Sequence, residues 1–155
     1  MRDHSVSVEL QRDGRVFVQP YSKTFEGANI ADGLPAVIAS MTDAQVLGSS
    51  IVTALHASNR RPLPNRNLRV DPPDRELLEW LGLRTYGQYM RGVRTLSVRA
   101  SYDDTDIAEV TVTPKRNEGP RGGFTPILER RFSIMYENPE QLGRAVQEAM
   151  KKARA

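Results

Sequence analysis

Ser5-Val6-Ser7-Val8-Glu9-Leu10-Gln11-Arg12-Asp13-Gly14-Arg15-Val16-Phe17-Val18-Gln19 is the stretch on which the fold turns. Val6, Val8 and Leu10 alternate with Ser7, Glu9 and Gln11, the two-residue period of a half-buried strand. Asp13-Gly14 follows, a pair that tolerates the positive φ angles of a tight hairpin turn. Residues 15–19 return as a second strand, with Val16 and Val18 on one face and Phe17 on the other. Pro20 has no N–H to donate, so it ends that strand or places it at an edge. Tyr21-Ser22-Lys23-Thr24-Phe25-Glu26-Gly27 then mixes aromatics, hydroxyls and a lysine in a way ordinary linkers do not.

Outward from this hairpin, residues 28–33 read as loop and residues 34–39 as a short strand weakened by Pro35. Thr42-Asp43-Ala44-Gln45 has the form of a capping box, threonine as N-cap and glutamine three residues on, opening a helix to about residue 56 or 58. Val46, Leu47, Ile51, Ala54 and Leu55 form its apolar stripe. Gly48 is costly inside a helix, and a close approach to a strand would account for it. Residues 59–73 hold Pro62, Pro64, Pro72 and Pro73 together with Arg60, Arg61, Arg66 and Arg69, show no periodicity, and read as a surface loop. Asp74 stands where it can cap a short helix over residues 75–81, stopped by Gly82, and residues 85–90 form a further turn.

Three strands follow, at residues 93–102, at residues 107–113 and within residues 127–136. The acidic turn Asp103-Asp104-Thr105-Asp106 joins the first two, and a polar glycine-rich loop at residues 115–123 precedes the third. Asn138-Pro139-Glu140-Gln141 opens a last helix with a capping asparagine, proline at its first position and Leu142, Ala145, Val146 and Ala149 as its buried stripe. Runs of strands with helices set apart predict a single α+β domain over residues 1–155, its helices packed on one side of a mostly antiparallel sheet.

Composition excludes several functions. The absence of cysteine removes disulfides, thiol catalysis and thiolate zinc sites. Met1-Arg2-Asp3-His4 has no apolar stretch behind it, and no apolar run approaches the ~20 residues that cross a bilayer. The expected setting is the cytoplasm, with no membrane partner. The formal charge of +3 is carried by 18 arginines and 4 lysines, a bias that GC-rich coding produces as readily as a selected arginine surface does.

No reaction centre assembles from the motifs. His4 precedes the first strand, where fraying is expected, and His56 ends a helix, where a cationic ring suits the dipole. No paired-histidine metal motif, P-loop, dinucleotide fingerprint or esterase elbow occurs, so no catalytic residue, metal or cofactor is expected. Asp103, Asp104 and Asp106 lack the spacing of a calcium loop and read as a solvated turn. Three like charges so close repel, and a basic partner would relieve them. The Arg/Pro-rich loop offers the alternative of a small nucleic-acid-binding protein, disfavoured because no recognition helix or stacking pair accompanies it. The balance favours a protein-binding module over an enzyme.

Gly14-Arg15-Val16-Phe17-Val18-Gln19-Pro20-Tyr21-Ser22-Lys23 resembles the hairpin of the immunity proteins of bacterial contact-dependent growth inhibition systems. Leu47-Gly48 in the first helix, Thr111-Val112-Thr113-Pro114-Lys115-Arg116-Asn117 before the glycine loop and Phe124, and Leu142-Gly143 with Ala145-Val146 in the last helix extend the similarity over most of the chain. The resemblance implies an antidote that binds the cognate C-terminal toxin domain of a large surface-delivered protein, often a ribonuclease, and blocks its active site or substrate access. It implies no catalytic residue and no cofactor. Acidic side chains that mimic phosphates would then be the contacts: Asp103, Asp104 and Asp106, then Asp71, Asp74, Glu76 and Glu79. Trp80, Tyr86, Tyr89 and Phe124 would be apolar anchors. Asp74 as a helix cap and Tyr21 as a buried, hydrogen-bonded strand-end tyrosine are the plain structural alternatives.

Overall fold

A computed structural model describes residues 3–155. Met1 and Arg2, part of the terminus read for a signal sequence, lie outside the described residues. The hairpin forms as expected. β1 (His4–Leu10) and β2 (Val16–Lys23) pair antiparallel, with Val8 opposite Val18 and Glu9 opposite Phe17. Gly14 takes φ 92° in the turn, and Asp13 Oδ1 accepts the Arg15 N–H at 3.0 Å. His4 is not frayed: it opens β1, and its Nδ1 lies 2.9 Å from the carbonyl oxygen of Leu55.

β2 continues through Pro20 because of what flanks it. β4 (Ala36–Ile38) pairs with Val16–Val18, and β3 (Asn29–Ala31) pairs with Tyr21–Lys23. Pro20 falls in the gap between these two short edge strands, where a missing donor costs least. Residues 29–31, read as loop, are therefore strand; three residues are too few to show a period.

α1 (Ala44–Ala57) begins one position later than the capping-box reading. Asp43 is the N-cap, its Oδ1 accepting the Val46 N–H at 3.1 Å, while the Thr42 hydroxyl pairs with that of Ser40 at 2.7 Å. Leu47, Ile51, Ala54 and Leu55 are buried as expected, but Val46 is half exposed. The close approach at Gly48 is to a helix, not a strand. A Cβ there would lie 1.7 Å from the Pro139 carbonyl oxygen of α5 (Pro139–Met150), and one on Gly143 would lie 1.9 Å from the Ala44 carbonyl oxygen. Two facing glycines let α1 and α5 pack backbone to backbone.

α2 (Arg75–Leu81) and α3 (Tyr86–Met90) follow the Arg/Pro-rich loop, and Gly82 ends α2 at φ 70°. Thr85 and Gln88 form a reciprocal capping box on α3. β5 (Arg94–Asp103) and β6 (Asp106–Asn117) make a long hairpin whose turn places Asp104 at φ 56°. β6 extends through Lys115, Arg116 and Asn117, read above as loop, because two partners hold it there. β7 (Phe124–Pro126) pairs on one side, and the chain end bonds back through Arg154 N–H to Lys115 O at 3.0 Å. α4 (Gly119–Gly122) and β8 (Phe132–Met135) complete the elements, β8 lying within residues 127–136 as expected.

The result is the expected α+β architecture, except that the helices do not all lie on one side: an antiparallel sheet in the order β3-β2-β1-β5-β6-β7, with β4 also on β2 and β8 also on β6, has helices on both faces. α1 and α5 cover one face. Val6, Val8, Val16, Val18, Leu96, Val98, Val110 and Val112 point into that layer and meet Leu47, Ile51, Leu55, Leu142 and Val146. The opposite face carries Ser7, Glu9, Phe17, Gln19, Thr95 and Thr113, also buried, in the intervening positions of the same strands. α2 and α3 lie against this face at the β1–β2 end, Trp80 and Tyr89 both beside the Phe17 ring.

Candidate partner-binding site

The second face is largely polar, because the alternate residues of β1 and β5 are polar and β2 adds Gln19 beside the aromatic Phe17 and Tyr21, yet it is largely shielded from water. That combination demands internal hydrogen bonds. Glu9, only 6% exposed, accepts the Tyr89 hydroxyl on Oε1 and the Ser7 hydroxyl on Oε2 at 2.9 Å. The Ser7 and Thr95 hydroxyls lie 3.1 Å apart, and the Gln11 amide donates to the Tyr89 hydroxyl at 2.9 Å. Burial pushes the Glu9 carboxyl above its ordinary range, against the pull of these two hydroxyls. Burial likewise depresses the Lys115 ammonium, which Glu9 partly offsets through its field.

α2, α3 and the preceding loop do not close over this face completely. A cleft of about 590 Å³ remains between them and β2–β3. Glu9, Gln19, Tyr21 and Ile30 line its sheet side, and Arg66, Asp74, Glu76, Leu77 and Tyr86 line its loop and helix side. Arg66 fixes this second wall. Its guanidinium donates to both Asp71 carboxylate oxygens at 3.0 and 3.1 Å, to the Pro72 carbonyl at 3.1 Å and to both Glu76 oxygens at 2.8 and 3.0 Å. Arg75 adds a contact to Asp71 at 3.1 Å. The Arg66 hydrogen bonds hold the Asp71 carboxyl below the usual carboxylate range.

The residues singled out from the sequence separate into distinct places. Asp74, Glu76 and Tyr86 come together on the cleft. Asp71 stands behind them, paired to Arg66 and Arg75. Asp74 occupies the N-cap position of α2 without a capping hydrogen bond from its side chain. Trp80, 45% exposed, packs its ring 5.7 Å from Phe17, and Tyr86 stacks 5.5 Å from Tyr89. Asp103, Asp104 and Asp106 are exposed on the β5–β6 turn and take no part in the cleft.

The Tyr21–Thr24 stretch divides by residue. The Ser22 hydroxyl donates to Asp32 at 2.7 Å and accepts the Asn59 N–H at 2.9 Å, and Thr24 Oγ1 accepts the Ala28 N–H at 3.1 Å. Those two hydroxyls hold the fold. Tyr21 instead puts its ring on the cleft wall, and no described residue hydrogen-bonds its hydroxyl. Glu9, Gln19 and Ile30 were not legible as site residues, because Glu9 and Gln19 read as the solvent side of a half-buried hairpin. The available signal was Phe17 and Tyr21 on that same side, two aromatics that a bare face would not carry.

The Arg/Pro-rich loop does not present a uniform cationic surface, since Arg66 is held by Asp71 and Glu76. Among the described residues no group of three or more His, Asp or Glu side chains is placed to hold a metal ion, and no helix is long and apolar enough to cross a membrane.

Two solved structures share this arrangement over the whole chain. One is a protein of unknown function from Neisseria meningitidis, 17% identical, with a TM-score of 0.76, the match covering 99% of this chain and 96% of that one. The other belongs to the CdiA-CT/CdiI toxin and immunity complex from Yersinia pseudotuberculosis, 15% identical, with a TM-score of 0.71 and coverage of 99% and 98%. No family model matches the sequence, and no curated protein matches it. The resemblance to growth-inhibition immunity proteins thus has a counterpart in the fold, which is that of a component of a toxin–immunity complex.

Proposed function

We propose that this chain is an immunity protein that binds a toxin domain and blocks its active site or its access to substrate. The observation that carries the reading is the whole-length match in fold to a chain of a toxin and immunity complex. In this reading the chain catalyses nothing, acts in the cytoplasm, and has as its partner the C-terminal toxin domain of a large surface-delivered protein. The toxin class is a ribonuclease, as the sequence resemblance implies.

The contact surface is drawn from the residues free to meet a partner. The acidic turn Asp103, Asp104 and Asp106 supplies charge for a basic surface, and its exposure supports this. Asp74, Glu76 and Tyr86 supply the cleft rim, Trp80 an exposed ring beside it, and Asp71 a charge already shared with Arg66. A net charge of +3 suits such local acidity better than a uniformly acidic antidote surface.

Co-expression with a candidate toxin domain of this kind tests the reading. A one-to-one complex that survives high salt, restores growth and suppresses RNA cleavage in vitro is expected. Suppressed DNA cleavage instead would retain the antidote and replace the toxin class. Failure to form a complex would refute the antidote. Reversing Asp103, Asp104 and Asp106 to lysine should weaken the complex by about tenfold or more through lost charge complementarity. Unchanged affinity removes the turn from the interface.

A further inference from the structure

Glu9 is a buried carboxyl without an ion-pair partner among the described residues. Its hydrogen bonds come from neutral hydroxyls, those of Ser7 and Tyr89. A carboxylate has about four acceptor positions, so two hydroxyls leave capacity on the side where Glu9 lines the cleft. The charges around it compensate only in part. Glu9, Asp74 and Glu76 line the cleft against one guanidinium, Arg66, which is already engaged by Asp71 and Glu76. Lys115, in β6 two strands from β1, is the other cation whose field reaches Glu9, and the two form no ion pair. The cleft is therefore acidic within a chain of charge +3. Apart from the amides of Gln19 and Asn29, its other lining is mostly aromatic and apolar, with Tyr21, Tyr86, Ile30 and Leu77.

A buried carboxylate facing a mostly apolar cleft calls for a cation on an apolar stem. A guanidinium fits best, since it is weakly hydrated, stacks on tyrosine faces and offers several donors to a carboxylate. We propose that the cleft receives an arginine side chain of the toxin domain, whose guanidinium meets Glu9 between Tyr21 and Tyr86. The identity of the partner rests on the immunity reading; the chemistry of the cleft does not. The cleft volume of about 590 Å³ exceeds one side chain, so the arginine enters with its neighbours. Binding should strengthen as pH rises. Burial raises the Glu9 carboxyl, Lys115 and the hydroxyls of Ser7 and Tyr89 favour its ionised form, and the cation binds only that form. Asp74, Glu76 and Arg66 are the other charged groups that face the cleft.

The test uses N-acetyl-arginine methylamide and its neutral isostere N-acetyl-citrulline methylamide, titrated into the protein by NMR. The arginine probe should shift the Tyr21 and Tyr86 rings, and the citrulline probe should bind about tenfold more weakly, the loss of one charge-assisted contact. The arginine affinity should be higher at about pH 7.5 than at about pH 5.5. Glu9→Gln should lower it by about tenfold and should weaken the toxin complex by a similar factor. Equal binding of the two probes, or no shift at either ring, overturns the proposal using the unmodified protein alone. A toxin complex formed equally well by Glu9→Gln overturns it and leaves the immunity reading intact. Absence of any complex refutes the immunity reading and with it the toxin as the arginine's source, while the probe titration separately decides whether the cleft takes a guanidinium.

Discussion

The two faces of one sheet are built from the same strands to opposite ends. Val6, Val8, Val16 and Val18 meet α1 and α5 in a dry layer closed by the Gly48–Gly143 contact. Ser7, Glu9, Phe17 and Gln19, one residue out of step, meet short helices and a loop that leave a cleft. The first face stabilises by area removed from water, the second by hydrogen bonds that must all be satisfied. A domain that must bind something can keep its stability on one face and leave the other incompletely covered.

The largest effect should come from disturbing the dry face. Gly48→Ala places a methyl inside the distance of the Pro139 carbonyl, so α1 and α5 must separate. A loss of about 3 kcal/mol is expected from urea denaturation, at the upper end of ordinary overpacking. A loss near zero would mean that the helices slide freely, against the account of a tightly closed layer.

The second face should respond to pH. With its pKa raised in the folded protein, Glu9 contributes fully below the ordinary value of 4.5 and loses that contribution as pH rises through the raised value. Glu9→Gln does not titrate, so its stability relative to the parent should climb over that window, by at most about 1.4 kcal/mol per pH unit. Parallel stability curves for the two proteins would contradict an unpaired buried carboxyl.

Capping comes next. Removing the side-chain oxygen in Asp43→Ala should cost about 1 kcal/mol, while Thr42→Ala should cost a few tenths at most, since only Asp43 caps α1. Thermal melts of the pair distinguish the observed cap from the capping-box reading. The smallest global change belongs to Arg66→Ala, below about 1 kcal/mol because its ion pairs reach solvent. Its signature is local: faster amide exchange over residues 63–76, with α1 and α5 unaffected.

This difference between faces also explains what the sequence disclosed. The period-two valines, the Asp13-Gly14 turn and the Asn138-Pro139 helix start are local signals, and each gave its element directly. The register of α1 was misread by one residue because Thr42 and Asp43 are both competent caps. β3 is three residues long, too short to show a period, and the end of β6 depends on Arg154, a partner distant in the chain that no local pattern reveals. The same holds for the cleft. Asp74, Glu76 and Tyr86 could be named from charge and aromatic character, but Glu9 acquires its meaning only when Tyr89, eighty positions away, covers it.

Amide hydrogen exchange of the toxin complex against the free protein tests the central claim most directly. The account predicts new protection over β2–β3, residues 66–77, Tyr86 and the Asp103–Asp106 turn, with the solvent sides of α1 and α5 unchanged. Protection concentrated on α1 and α5, with the cleft exchanging as in the free protein, would contradict it.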